Sequence, residues 1–264
     1  MPNAHLNGID IYYEVHGAGP RLLALNGSGG TIAAAAPMIQ KLAANFEVLI
    51  HDQRGLGRTA VPHGQATMAD YAADAAALLD HIGWSATSVF GISFGGMVAQ
   101  EFAVTWPQRV ERMALLCTSP GGAGGSSYPL HTLAAMSVDE QDRVRMTLAD
   151  SRYTTEFLAA SPFDQRLVEL GEAGRAAPRT DEQRRGEMMQ LIARSELDVW
   201  DRLGNITCPT LVAFGQFDAL APPTNSEAIA SRIDGSELRG YQGGHMFVWQ
   251  DRHAWPEIIG FLSE

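Results

Sequence analysis

Apolar and polar positions along the chain change period from one stretch to the next. Ala4 to Leu6 and Ile9 to Val15 flank Asn7-Gly8, a dipeptide that suits the two left-handed positions of a type I′ turn, so an antiparallel hairpin is predicted to open the chain. Short apolar runs follow at Leu22 to Leu25, Phe46 to Ile50, Ser88 to Ile92 and Met113 to Cys117, separated by helical stretches. That alternation is the signature of crossover units building a parallel sheet covered on both faces. After Cys117 the strand pattern stops. It resumes at Thr210 to Phe214 and near Ser236 to Gly240, with a helix from Asn225 to Ile233 and a last helix from about His253 to Leu262. The prediction is an α/β fold on eight strands.

Cap residues sharpen the helices. Thr67 with Asp70 three residues later starts a helix that runs to His81, and Gly83 stops it. Between the two halves of the sheet lies a Gly- and Ser-rich stretch, Ser119 to Ser127, and then helical periodicity from about Ser137 to Leu203. Ser137 with Glu140 and Thr180 with Gln183 match capping boxes, and Pro162 after Ser161 suits a first helical turn. The chain therefore divides into a core, residues 1–120 and 206–264, and an inserted helical segment, 121–205. No internal repeat or low-complexity tail interrupts this order.

Composition narrows the classes of function. The formal charge is −11 and Lys41 is the only lysine, which opposes nucleic-acid binding, since that needs clustered cations. A neutral or cationic small molecule fits the balance better. No apolar run approaches the roughly 20 residues of a membrane span, and Met1 to Gly8 lacks a signal-peptide pattern, so a cytoplasmic protein is expected. Cys117 and Cys208 are too few and too far apart for a zinc site and are expected as buried free thiols.

The chemistry concentrates at Gly91-Ile92-Ser93-Phe94-Gly95-Gly96. A bare Gly-x-Ser-x-Gly in a Gly-rich chain decides little. Here it follows the run Ser88 to Phe90 and precedes the helical run Met97 to Thr105, the strand–turn–helix context of a nucleophile elbow. Serine needs a base within hydrogen-bond reach to act as a nucleophile. His245, in the loop Gly243-Gly244-His245-Met246 after the last strand, is the candidate; His253 is the rival, close to a helix start. The imidazole in turn needs a carboxylate to fix its tautomer. Asp218 supplies one just after the strand Thr210 to Phe214, whereas Thr118, Ser119 and Pro120 after Cys117 offer none.

An oxyanion would be held by the amide of Phe94 at the helix start, aided by the helix dipole, and by the loop Asn26-Gly27-Ser28-Gly29-Gly30-Thr31. The amide of Ser28 is the expected second donor, with Gly27 beside it. The same loop could instead be a tight turn that brings Thr31 or Asn26 to the substrate.

With these residues in place, the chain resembles the α/β-hydrolase superfamily from about Leu22 onward. Asp52-Gln53-Arg54-Gly55-Leu56-Gly57-Arg58-Thr59 resembles that family's structural Asp-x-Arg-Gly-x-Gly segment. Asn26-Gly27 departs from the family's usual His-Gly, and Ser28 to Thr31 together with Gly91 to Met97 is similar to 3-oxoadipate enol-lactonases and to carboxylesterase-like members. The resemblance implies a mostly parallel eight-stranded sheet flanked by helices, with the inserted helices as a lid. Serine at position 93 disfavours the branches with an aspartate nucleophile. The implied activity is hydrolysis of a small-molecule carboxylic ester or lactone through an acyl-enzyme, with no cofactor and no metal. Alternatives are a carbon–carbon bond hydrolase with the same triad, or a receptor that keeps the fold without turnover. The inserted segment carries Met136, Met146, Met188, Met189, Phe157 and Trp200, adaptable apolar side chains, and arginines such as Arg143, Arg145 and Arg194 that offer cations to a substrate carboxylate. A homo-oligomer is left open.

Overall fold

A computed structural model describes residues 2–264. Strands β1 (Asn3–Leu6), β2 (Ile9–His16), β3 (Arg21–Leu25), β4 (Glu47–His51), β5 (Thr87–Ile92), β6 (Val110–Leu116), β7 (Thr210–Gly215) and β8 (Glu237–Tyr241) form one sheet, in the order 1-2-4-3-5-6-7-8. The β1–β2 and β2–β4 pairs are antiparallel and all others parallel. Asn7 and Gly8 both have positive φ, 49° and 77°, as the type I′ turn requires. The expected fold class is the observed one.

Both faces of the sheet are covered, which is why its strands read as continuous apolar runs. Alternate residues of β3 enter different cores. Leu23 and Leu25 pack with Tyr71, Leu78 and Phe102 from α2 (Met68–His81) and α3 (Phe94–Thr105). Leu22 and Ala24 pack with Leu42, Phe247 and Ile258 from α1 (Ala36–Ala43), α9 (Phe247–Gln250) and α10 (Ala254–Ser263). Chain order turns around at β3, since β4 lies on one side of it and β5 on the other. The loops leaving β3 and β5 therefore diverge, opening a crevice at the carboxyl ends of these strands where ligands of such sheets bind.

Strand and helix limits agree with the sequence pattern to within two residues for most elements. The capping box of α2 is present, with the Asp70 carboxylate accepting from the Thr67 amide at 2.8 Å. Neither α1, which follows Ala35 and carries Pro37 in its first turn, nor α9, a single turn, has a side-chain cap. Between β6 and β7 lie α4 (Val138–Ala149), α5 (Thr155–Ala160), α6 (Pro162–Ala176) and α7 (Asp181–Ser195), followed by α8 (Pro223–Arg232) after β7. Helical periodicity extends to Leu203 in the sequence, yet α7 stops at Ser195. The reason is a return to the sheet: Val199 donates to the Pro120 carbonyl at 3.0 Å and Asp198 bridges Gly121. Any Cβ at Gly121 would stand 1.8 Å from the Leu197 carbonyl oxygen, so only glycine lets the two ends of the segment close. No helix among the described residues is long and apolar enough to cross a membrane.

The segment after β4 ties these parts together. The Asp52 carboxylate accepts the amides of Ile32 (2.7 Å) and Arg58 (2.9 Å), fixing the end of the β3 loop to its own turn. Arg54 makes a two-point ion pair with Asp74 of α2 at 2.7 Å, both side chains being buried, and Asn7 of the opening hairpin donates to Asp74 at 2.9 Å. Asp74→Ala is expected to lower unfolding free energy by about 3–5 kcal/mol, because it leaves the Arg54 guanidinium buried without its carboxylate. Urea melts of the two proteins measure this; a loss under about 1 kcal/mol would contradict the ion pair's structural role.

Candidate active site

Ser93 sits between β5 and α3 with φ 54° and ψ −116°, a conformation an L-residue adopts only when its surroundings enforce it. The enforcement is visible on both sides. A Cβ at Gly95 would lie 2.0 Å from the Leu25 carbonyl oxygen of β3, and one at Gly91 would lie 2.7 Å from the Gly95 carbonyl oxygen. The Ser93 amide donates to Leu116 at 2.8 Å, and the Thr118 hydroxyl donates to the Ser93 carbonyl at 2.8 Å. The turn is thus pinned to β3 and β6 at once, with the serine hydroxyl at its apex.

His245 reaches that hydroxyl from the loop after β8. Its Nε2 lies 2.9 Å from Ser93 Oγ and its Nδ1 lies 2.7 Å from Asp218 Oδ2. The other Asp218 oxygen, Oδ1, accepts the amides of Leu220 (2.8 Å) and Ala221 (2.9 Å), so the carboxylate is held in the loop after β7 with one oxygen aimed at the imidazole. Asp218 is 3% exposed and Ser93 6%, leaving the line of three groups largely shielded from water. The structure brings together all three residues singled out in the sequence. His253 is exposed at the start of α10, with its Nε2 beside Arg252 Nε. Elsewhere, His51 is fully buried near Asp74, and burial pushes it down to about 4, which keeps it neutral.

The loop after β3 stands against the elbow, with Gly27 facing Ser93. Its amides can be accounted for one by one. That of Gly27 is taken by the Asn26 side chain at 2.9 Å, that of Gly29 by Gln190 Oε1 at 2.7 Å, and that of Gly30 by the Gly27 carbonyl at 3.0 Å. Ser28 alone of these four has an amide with no acceptor among the described residues. Phe94 is the first residue of α3, and first-turn amides have no acceptor within their helix. Asn26, which stands where the family usually has histidine, uses its side chain to shape the loop: its Nδ2 reaches the Thr31 carbonyl at 3.4 Å while Gln53 holds its own carbonyl at 2.8 Å.

Apart from Arg194, several neighbours of the site have no sequence signal. Gln190 and Arg194 of α7 touch the β3 loop, Arg194 donating to the Ser28 hydroxyl at 3.2 Å. The end of α4 is threaded between the Asp218 and His245 loops: the backbone amide of His245 donates to the Ala149 carbonyl at 2.6 Å, that of Ala219 to the Leu148 carbonyl at 3.2 Å, and that of Ser151 to the Phe217 carbonyl at 2.9 Å. Gln250 accepts the Gly244 amide at 2.9 Å and donates to Asp164 at 2.7 Å. Cys117, like Cys208, is a buried free thiol. Ligand atoms of Cys117, Asp218 and His245 lie within 4.8 Å of one another. The imidazole and carboxylate of that trio already bond each other, and burial pushes the thiol well above its usual range, away from the thiolate a metal needs. A separate open groove of about 630 Å³, lined by Tyr12, Glu14, His16 and Arg58 among others, contains none of the three aligned residues.

A serine on a left-handed elbow, a loop histidine and a carboxylate, aligned at the carboxyl edge of a mostly parallel sheet, define a site of the α/β-hydrolase class. The chain belongs to the alpha/beta hydrolase fold family, whose pattern matches residues 20–251. It is similar to RutD of Azorhizobium caulinodans, named for a carbamate hydrolase activity, with 28% identity covering 100% of this chain and 99% of that protein. It is also 28% identical to a poly(3-hydroxyalkanoate) depolymerase of Ectopseudomonas oleovorans, over 92% of this chain and 84% of that one. Among solved structures, the enol-lactonase of Burkholderia xenovorans shares the fold at a TM-score of 0.82, with 24% identity and 100% of both chains covered.

The tightest backbone approach in the base loop is testable. A Cβ at Gly244 would fall 2.0 Å from the Ala149 carbonyl oxygen, so Gly244→Ala is expected to push His245 off Ser93. A shift of about 1 Å is worth on the order of 100-fold in reactivity. The rate of Ser93 labelling by a fluorophosphonate should fall by about that factor while circular dichroism stays unchanged; an unaltered labelling rate would contradict a role for the Gly244–Ala149 contact in placing His245.

Proposed function

We propose that the protein hydrolyses a carboxylic ester or lactone of a small molecule through an acyl-enzyme on Ser93. The observation that carries this reading is the unbroken line from Ser93 Oγ through His245 to Asp218, with contacts of 2.9 and 2.7 Å. His245 Nε2 takes the hydroxyl proton as Oγ attacks the carbonyl carbon, and the imidazolium formed is stabilised by Asp218. Negative charge on the former carbonyl oxygen is met by the amides of Ser28 and Phe94, both unspent in the resting protein. Collapse of the tetrahedral adduct passes the proton from His245 to the departing alkoxide. Water then repeats the cycle in reverse order: His245 removes its proton, the hydroxide attacks the acyl carbon, and Ser93 leaves with the proton returned. These steps need only the chain's own groups and water.

Residues 121–205 act as the lid over this site, because α4 and α7 supply the groups that touch its loops. A relative named for depolymerising a poly(3-hydroxyalkanoate), a polyester, supports acyl–oxygen cleavage, while the RutD similarity places carbamates in the substrate panel.

Ser93→Ala is expected to lower ester turnover by roughly 10⁶, the scale seen when a serine triad loses its nucleophile. His245→Ala should lose activity to a similar extent, whereas His253→Ala should match the parent protein. Hydrolysis of chromogenic short-chain esters and lactones reads all three. A near-normal rate in Ser93→Ala would sink the assignment, and stoichiometric labelling of Ser93 without steady turnover would favour a receptor on the same fold.

A further inference from the structure

Arg194 is the buried cation of the helical segment that lacks an anion; Arg143 and Arg145 also lack one among the described residues, but Arg143 is exposed and Arg145 only half-buried. Other arginines of the segment are paired: Arg152 with Asp150, Arg175 with Asp142, Arg179 with Glu187 and Arg184 with Asp181. These four are all partly or fully exposed, where ion pairs contribute little. Arg194 is only 5% exposed and has no carboxylate within ion-pair distance among the described residues. Two of its donors go to neutral hydroxyls, Nε to Ser127 at 3.0 Å and Nη1 to Ser28 at 3.2 Å, and Nη2 has no partner. One turn back on the same face of α7, Gln190 is fully buried, with Oε1 fixed on the Gly29 amide and Nε2 likewise without a partner.

Placing a guanidinium in such surroundings is expensive unless something repays it. Burial draws Arg194 down to about 10, so it remains a full cation at neutral pH. The carboxylate that acts on it from a distance, Asp218, is already bonded to His245 and two amides. What the arrangement offers is a fixed planar fork with a free donor edge, next to a free amide, and such forks match carboxylates. Its position is specific: the hydroxyl that accepts from Arg194 and the amide that awaits an oxyanion belong to the same residue, Ser28.

Resting on the hydrolase reading above, we propose that Arg194, with Gln190 beside it, binds a carboxylate carried by the substrate, so that the preferred substrates are anionic esters or lactones whose carboxylate lies a short chain from the scissile carbonyl. The net charge of −11 does not oppose this. Surface charges are screened beyond roughly 8–10 Å at physiological salt, whereas a buried cation acts at contact. The local field at the site therefore overrides the acidic balance that, from composition, favours a neutral or cationic ligand.

The test compares kcat/KM for the mono-4-nitrophenyl esters of succinic and glutaric acid with that for the neutral 4-nitrophenyl butyrate and pentanoate, spontaneous hydrolysis subtracted. The parent protein should favour the anionic member of each pair by about 10- to 100-fold, the range of a charge-assisted hydrogen bond. Arg194→Met should collapse that ratio toward one, mainly through KM of the anionic ester, and Arg194→Lys should restore part of it. A parent protein that prefers the neutral esters, or an Arg194→Met ratio equal to the parent's, would overturn the proposal while leaving hydrolysis intact. Calorimetric binding of glutarate to Ser93→Ala provides a readout free of turnover. Binding that disappears when Arg194→Met is added, and weakens with Arg194→Lys or Gln190→Leu, supports the carboxylate site even if no ester is cleaved, and absence of binding to Ser93→Ala counts against it.

Discussion

Everything at the site follows from one backbone constraint, the left-handed conformation of Ser93. A residue there points its side chain out of the strand-to-helix turn and leaves the following amides free, but only if the chain after it can pass within contact of β3 and the chain before it within contact of the first turns of α3. Gly91 and Gly95 make that passage. Their carbonyl and Cα neighbours sit where any side chain would collide, so the strain at Ser93 is held by packing of three strands rather than by the turn itself. The sheet order then determines what can face the serine. Because β3 and β5 are neighbours while their following segments run to opposite sides, the Asn26 to Thr31 loop is the piece of chain that faces Ser93 across the crevice, where the proposed oxyanion pocket would form.

The parts of this design that were legible in the sequence are those with local causes. Asn7-Gly8 announces its turn because few other pairs tolerate two positive φ values, and Thr67 with Asp70 announces α2 because both partners of the cap lie within one turn. The elbow is legible for the same reason: glycine is required at fixed offsets from the serine. His245 and Asp218 could be chosen from chain order and loop context, although nothing local dictates the distances that the structure shows between them. By contrast, α1 is expected only as a helical stretch without limits, because its amphipathic face is two turns long and its start at Ala35 has no side-chain cap. The contacts of Gln190 with Gly29 and of Arg194 with Ser28 join residues 161 and 166 positions apart. No periodicity encodes such a meeting; it depends on how α7 docks.

The loop after β3 illustrates how a departure from a family habit is absorbed. Where histidine is usual, Asn26 spends its carboxamide on the amide of Gly27 and on the carbonyl of Thr31. Holding the loop from within in this way ties up Gly27 and leaves the next amide, that of Ser28, unspent. Gln190 then closes the remaining choice by occupying Gly29. The identity of the free amide is therefore the outcome of three side chains from distant parts of the sequence, each removing one competitor.

The run of backbone bonds from the last turn of α4 at Leu148 to Ser151 bears on how the protein can be rebuilt. Those four residues belong by chain order to the helical insertion, yet by hydrogen bonding they are a spacer that sets the gap between the Asp218 and His245 loops. The later helices are tied to the core elsewhere, α6 through Asp164 to Gln250 and α7 through Gln190 and Arg194 to the loop after β3. Recombination meets a seam at Ser151: a chimera that exchanges residues after it keeps this spacer, whereas one that cuts at Gly121 also replaces it and with it the gap between the loops that carry Asp218 and His245.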